Sequence, residues 1–317
     1  MSNKIKLKEI RTSARESVRN AGASPRIVTL IFLGCIYGTG ILLDSVQYVL
    51  NLSGSGGISD TIRLQTISSV FTAAGTVLTL FSIIWDNCYL GYARALSRNE
   101  AGDFGTITGY LHRSGTFFGT RVLTAVYIGL WTLLFMIPGY YLTFQATLSM
   151  ELTEDMLLDY DAAYTAVESY LFSSPLLPWI MGLIALGILA GAFMSYRYRL
   201  APYFALEPNF RARACVRASK AVMRGHMWQL FRLDLSLLWY YILTGLLSYG
   251  LTVLVMFVEL SDGWILIAEI AFYLLLLAVQ IFAYPFVQCC YAGYADRLML
   301  PRMNPEPRTI PESTQQI

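Results

Sequence analysis

Six long stretches without a single charged side chain constrain this chain more than any motif does. Ile27 to Leu43 runs 17 residues, Leu64 to Trp85 22, Val122 to Met150 29, Ser169 to Tyr196 28, Leu235 to Val258 24 and Ile270 to Ala295 26. A helix that crosses a bilayer needs about 20 mostly apolar residues, because each adds about 1.5 Å across a hydrocarbon core of about 30 Å. The first stretch reaches that length when it continues past Asp44 to Leu50. Charged residues make up 14% of the 317, where a soluble domain carries about 25%. Six such blocks at this charge density exclude a disordered chain and argue against a soluble core. They are also too long for the alternating strands, about ten residues each, of a membrane barrel. The first block is too long for a cleavable signal peptide and lacks a small-residue cleavage site close behind it, so it is read as a span. The expectation is an all-α polytopic membrane protein, with six transmembrane helices as three hairpins and interfacial amphipathic helices. One transmembrane domain is expected over 1–300, with a disordered cytoplasmic tail over 301–317.

The charges between the blocks fall on two sides. Of the 23 lysines and arginines, only Arg63 lies in the connections 1–2, 3–4 and 5–6; the other 22 lie in the termini and the connections 2–3 and 4–5. Such a bias sets orientation, so both termini are expected in the cytoplasm. The opposite side is acidic: Asp60, Glu151, Glu154, Asp155, Asp159, Asp161, Glu168, Glu259 and Asp262. The densest basic cluster is Arg197, Arg199, Arg211, Arg213, Arg217, Lys220, Arg224 and Arg232, with His226 beside it. The N-terminal stretch adds Lys4, Lys6, Lys8, Arg11, Arg15, Arg19 and Arg26. Clusters of this kind attract anionic inner-leaflet lipid. No recognition module accompanies them, so a nucleic acid is not an expected partner.

A repeat runs through the basic side. Cys88-Tyr-Leu-Gly-Tyr-Ala-Arg-Ala-Leu96 ends the second block, and Cys290-Tyr-Ala-Gly-Tyr-Ala-Asp-Arg-Leu298 ends the sixth, with six of nine positions identical. Ser195-Tyr-Arg-Tyr-Arg-Leu-Ala-Pro-Tyr203 is a looser relative at the end of the fourth. Ahead of the odd blocks, Arg15, Val18, Arg19 and Asn20 resemble Lys220, Met223, Arg224 and Gly225 at a constant offset of 205. A weaker middle copy runs from Phe104 through Leu111, His112 and Arg113. The suggested unit is a short basic helix followed by a transmembrane hairpin, used in parallel three times over about 1–98, 99–208 and 209–300. Phe210 to Phe231 carries an apolar stripe of Cys215, Val216, Ala218, Ser219, Val222, Met223 and Met227 at helical spacing, which predicts one helix lying in the interface.

Chemistry-bearing residues are few. Asp86 and Asn87 sit near the inner end of the second span, where a carboxylate is a functional candidate or a salt-bridge partner for Arg94 or Arg197. Asp234 stands at the start of the fifth span, where capping is its expected role. Pro138, Gly139 and Pro285 fall inside spans and predict kinks or breaks, with Gln288 about one turn beyond Pro285. The two histidines, His112 and His226, assemble with no HExxH, GxSxG or phosphate-loop pattern. The five cysteines form neither a zinc set nor a CxxC pair and read as small apolar side chains. No catalytic residue, metal or cofactor is expected.

Arg199-Leu-Ala-Pro-Tyr203, Ala218-Ser-Lys-Ala-Val-Met-Arg-Gly-His226 and Phe231-Arg-Leu-Asp-Leu-Ser236 together resemble the DUF975 family of bacterial integral membrane proteins. They are also distantly similar to membrane domains found beside glycerophosphodiester phosphodiesterases. The resemblance implies a multi-pass protein of the bacterial inner membrane and carries over no catalytic residue. The leading functional reading is a non-enzymatic membrane protein whose basic face engages anionic lipid or a protein partner, including a second copy of the chain. The alternatives are a transporter for a small or amphipathic solute, built around Asp86, Asn87 and Gln288, and a lipid-modifying enzyme.

Overall fold

A computed structural model describes residues 6–21, 24–52, 58–100, 102–149, 160–257 and 262–303. Among the described residues all regular structure is helical: α1 (Leu7–Asn20), α2 (Ser24–Leu52), α3 (Ile58–Ser97), α4 (Phe104–Gly109), a 3-10 turn (Leu111–Arg113), α5 (Ser114–Leu148), α6 (Tyr160–Ser173), α7 (Leu177–Tyr198), α8 (Ala201–Ala205), α9 (Ala212–Val222), α10 (Met227–Ser236), α11 (Leu238–Phe257) and α12 (Asp262–Met303). Glu151, Glu154, Asp155, Asp159 and Glu259 of the acidic side, and the tail 304–317, lie outside the described residues. The same holds for the side chains of Asp60, Asp161 and Asp262, whereas Glu168 is described and exposed.

Length and hydropathy identify four spans: Gln65–Ser97, Phe104–Leu148, Leu177–Ala205 and Ile270–Met299. Two bent pairs raise the number to six if each crosses once, Leu7–Asn20 with Ser24–Thr39 at 90° and Met227–Ser236 with Leu238–Gly250 at 56°. These correspond to the six uncharged blocks, with the first and fifth each preceded by a sharply angled short helix.

The helices fall into two compact units. The larger takes in Met1–Phe118, Pro202–Arg211 and Trp228–Ile317. Its longest members, α3 and α12, have 40 and 42 residues, about 60 Å each and twice the hydrocarbon thickness. Their two ends differ. Val70, Val77, Leu80 and Phe81 of α3 and Tyr273, Leu274, Leu275 and Phe282 of α12 are exposed apolar side chains. Toward the C-terminal ends the pattern reverses, and Tyr89, Tyr92, Leu96, Val287, Tyr294 and Met299 are buried. Apolar exposure on one half and protein packing on the other is what a helix acquires when lipid solvates its middle and the protein closes around its end. α1 lies against that closed end, burying Ile10, Ala14 and Ser17. α4 packs on α3 as well. Its start is fixed by a capping box in which Asp103 accepts from the Thr106 N–H at 3.0 Å and the Thr106 hydroxyl accepts from the Asp103 N–H at 3.2 Å.

The smaller unit holds Gly119–Ala201 and Ala212–Met227. Here α7 approaches α5 through small residues: a side chain at Gly187 would meet Met136 and the backbone at Thr132, and one at Gly191 would meet the Thr132 hydroxyl. Close contact of this kind gives membrane helices their dispersion energy, since lipid tails offer no hydrophobic penalty to drive association. α9 packs on α7: Val216 meets Met194, Tyr198 and Ala201, and the Ser219 hydroxyl donates to the Arg197 carbonyl at 3.1 Å.

Three expectations change. Phe210 to Phe231 is not one helix; α9 stops at Val222, Gly225 takes a φ of +89°, and α10 starts afresh at Met227. A positive φ is strained for any side chain and open to glycine, so the break is written into the backbone. The apolar stripe of this segment is buried against protein rather than presented to lipid, with Cys215, Val216, Ser219 and Val222 all inside. Finally, neither Pro138 nor Pro285 interrupts its helix. A neighbouring helix can hold the turns that proline weakens, and next to Pro138 the backbone at Gly139 is pressed against Leu183 and Ile184 of α7.

Candidate functional site

The repeated motif forms the seam at the closed end of the larger unit. Cys88, Tyr89, Tyr92, Ala93 and Leu96 line one face of α3, and Cys290, Tyr291, Tyr294, Ala295 and Leu298 line one face of α12; all ten are buried. Spacings of three and four put each set on a single helical stripe, and α3 and α12 pack together. The two motif copies carry opposite charges at one position, Arg94 against Asp296, and at the next Ala95 stands against Arg297. Those two residues bond to each other: Arg94 Nε donates to Asp296 Oδ1 at 2.7 Å. Arg94 Nη1 pairs with Glu207 Oε1 at 2.7 Å. Arg98 then donates from Nε to Asp296 Oδ2 at 2.7 Å and from Nη2 to Oδ1 at 2.9 Å.

The result is a four-membered ion cluster of two guanidiniums and two carboxylates, formally neutral. Arg94 and Asp296 are its sealed centre, with side chains 6% and 8% exposed, whereas Glu207 and Arg98 reach 28% and 35%. The bond to Asp296 holds the Arg98 guanidinium above its already high ordinary range. Among the described residues Arg94 Nη2 meets no hydrogen-bond partner, although it is buried.

A second pair of contacts follows the same repeat. Tyr89 and Thr29 Oγ1 share a hydrogen bond at 2.7 Å. Tyr291, which matches Tyr89 in the motif, donates to Asp234 Oδ1 at 2.6 Å. Asp234 stands 205 positions after Thr29, the offset that relates the basic helices α1 and α9. With the Tyr291 proton committed to the carboxylate, the 2.7 Å contact between the Tyr241 and Tyr291 hydroxyls is donated by Tyr241. Asp234 therefore does not cap a helix; it lies within α10 and anchors α10 to α12. The buried positions of α1 and α9 repeat at the same offset, Ile10 with Cys215, Ala14 with Ser219 and Ser17 with Val222.

The remaining sequence candidates divide between the units. In the larger, Asp86 is half-buried, Asn87 is buried and donates to the Ile83 carbonyl at 2.7 Å, Tyr203 is buried and Gln288 is half-buried. In the smaller, Arg197 and His226 are half-buried, while Arg199, Lys220 and Arg224 are exposed. Arg94 does form a salt bridge, but with Glu207 and Asp296. Sequence reasoning missed Arg98, Glu207 and Asp296. The opposite charges at matched motif positions were the available signal for Asp296; Glu207 sits between α8 and α9 with no periodicity to mark it.

A cavity of about 190 Å³ opens beside the cluster, between α1 and the C-terminal ends of α3 and α12. Its lining does not include Asp86, Asn87 or Gln288. Among the described residues no three histidines, cysteines or carboxylates gather as metal ligands. Cys88, Cys215, Cys289 and Cys290 are buried.

Long helices with apolar exposed middles, closed at one end by a buried ion cluster, define an all-α, multi-pass membrane protein. The chain belongs to the family described as Protein of unknown function (DUF975), whose model matches residues 1–294. The resemblance read over 196–236 thus extends across nearly the whole chain. No curated protein and no solved structure matches it, and the likeness to domains beside glycerophosphodiester phosphodiesterases finds no support in these comparisons.

Proposed function

We propose that this is a non-enzymatic protein of the bacterial inner membrane, with both termini cytoplasmic, whose basic face engages anionic lipid of the inner leaflet. The observation that carries the reading is the exposure pattern of two helices. α1 buries Ile10, Ala14 and Ser17 and leaves Lys8, Arg11, Arg15 and Arg19 outward. α9 buries Cys215, Val216, Ser219 and Val222 and leaves Arg213, Arg217 and Lys220 outward, with Arg224 exposed just beyond. Because the apolar sides are used against protein, these helices have only charge left to offer a membrane. Each basic residue near an anionic surface is worth about 1 kcal/mol, falling off within a Debye length.

The test is hydrogen exchange on the full-length protein in lipid nanodiscs. Amides of 7–20 and 212–222 should exchange more slowly in phosphatidylglycerol discs than in phosphatidylcholine discs, and the difference should shrink as salt is raised. Equal exchange in the two lipids at low salt would overturn the reading.

A further inference from the structure

We infer that the cavity between α1, α3 and α12 is a site for a phosphate ester, the phosphate of one anionic lipid headgroup. The inference rests on the proposed engagement of anionic lipid and assigns it a discrete seat.

Unused donors converge there. Ser13, Ser97, Arg98, Asp296 and Arg297 are its polar lining, over a floor that includes Ile10 and Gly293; the Ser97 hydroxyl is already donated to the Arg94 carbonyl. Arg98 commits the Nε proton and one Nη2 proton to Asp296, which leaves the second proton of Nη2 and both protons of Nη1. Arg297 has one long contact, 3.5 Å from Nη1 to Glu9 Oε2, and keeps its other donors. The Ser13 side chain is exposed and contributes a hydroxyl. Asp296 does not oppose an anion, because three hydrogen bonds from Arg94 and Arg98 already neutralise it. Arg11 and Arg15 of α1 lie close enough to act electrostatically on Cys290, whereas Glu100 and Glu207 act on Arg98 and Glu9 faces Arg297. Guanidinium groups suit phosphate oxygens because their planar forks deliver paired, charge-assisted hydrogen bonds. A polar rim over an apolar floor suits a phosphate that carries a glycerol backbone, and the volume of about 190 Å³ admits the phosphate and its first carbons rather than a whole lipid.

Gly293 makes the site testable without disturbing the ion cluster. A Cβ added there meets only Ile10 Cγ2, at 3.8 Å, an ordinary contact. Gly293→Val therefore fills the cavity from a helix that can carry it. Ser13→Ala combined with Arg297→Gln removes two donors and leaves Arg98 paired. Native mass spectrometry of the full-length protein, released from nanodiscs of equimolar phosphatidylglycerol and phosphatidylcholine, reads the lipid retained per chain. The expected result is one retained phosphatidylglycerol, reduced about tenfold or more in each cavity variant. Neutralising Arg213, Arg217 and Lys220 to glutamine on α9 should leave that retention intact. Unchanged retention in both cavity variants overturns the site, even where α1 and α9 still respond to lipid charge, since that response belongs to the wider basic face. Inorganic phosphate, titrated against lipid-free protein, separates the sources. No shift of the unfolding midpoint supports the lipid. A rise in wild type that Gly293→Val abolishes supports the same site with a free phosphate ester as its ligand.

Discussion

Arg94 and Asp296 concentrate most of what a single residue can reveal here. Each is more than nine-tenths buried, and each would be a costly orphan alone. Removing one member of such a pair typically costs about 3–5 kcal/mol, because the partner's charge stays buried without compensation. Arg94→Ala should therefore lower the unfolding midpoint in detergent sharply, more than Arg98→Ala, whose side chain is a third exposed. The exchange Arg94→Asp with Asp296→Arg restores opposite charges at matched positions and should recover part of the loss of either single substitution. A double variant no more stable than the sum of the singles would separate the pair energetically. Tyr291→Phe removes the donor to Asp234 and should cost about 1–2 kcal/mol by the same measurement. This layer was half legible. The motif repeat located Arg94 and set Asp296 opposite it, but a sequence does not say that two repeat copies face each other.

Elements were more legible than residues because hydrophobic periodicity and block length are local properties. The apolar blocks map onto helices, and the basic segments ahead of them onto α1, the 3-10 turn that follows α4, and α9. What the pattern could not convey was what covers each stripe. The stripe of α9 reads identically whether lipid or α7 lies beneath it, and only packing of Val216 on Met194 and Tyr198 decides. Glycine spacing was similarly silent. Gly182, Gly187 and Gly191 look alike in α7, yet only the last two face α5 closely. Gly187→Ala would set a Cβ against backbone at Thr132 O and Met136 N, 3.1 and 3.2 Å away. Overpacking of this kind costs about 1–3 kcal/mol. Gly182→Ala meets nothing within 4 Å and should leave the midpoint unchanged or slightly raised. A matching loss at both positions would show that α7 does not use that face. Gly225→Ala should cost about 1 kcal/mol through its positive φ alone, since open space surrounds it.

At the scale of the whole chain, charge sidedness is the property that organises the rest. A net charge of +2 conceals it, because 22 of 23 basic residues are averaged against an acidic opposite side. The short helices also pack on the long ones: α1 on α12 and α3, α4 on α3, and α9 on α7. With both bent pairs crossing, or neither, the count is even and the two termini share a side; the orientation proposed above, from the lysine and arginine bias, puts that side in the cytoplasm. Reporter fusions test this directly. A fluorescent protein joined after Ile317 should fluoresce, and alkaline phosphatase joined there should be inactive. Phosphatase inserted between residues 150 and 159, in the acidic connection of α5 to α6, should be active if the proposed orientation holds, since it puts that connection outside. Active phosphatase after Ile317 would reverse the orientation and detach the basic helices from the inner leaflet. Inactive phosphatase in the 150–159 insertion, with a fluorescent C-terminus, would deny that α5 and α7 cross at all, although both have the length and hydropathy to do so.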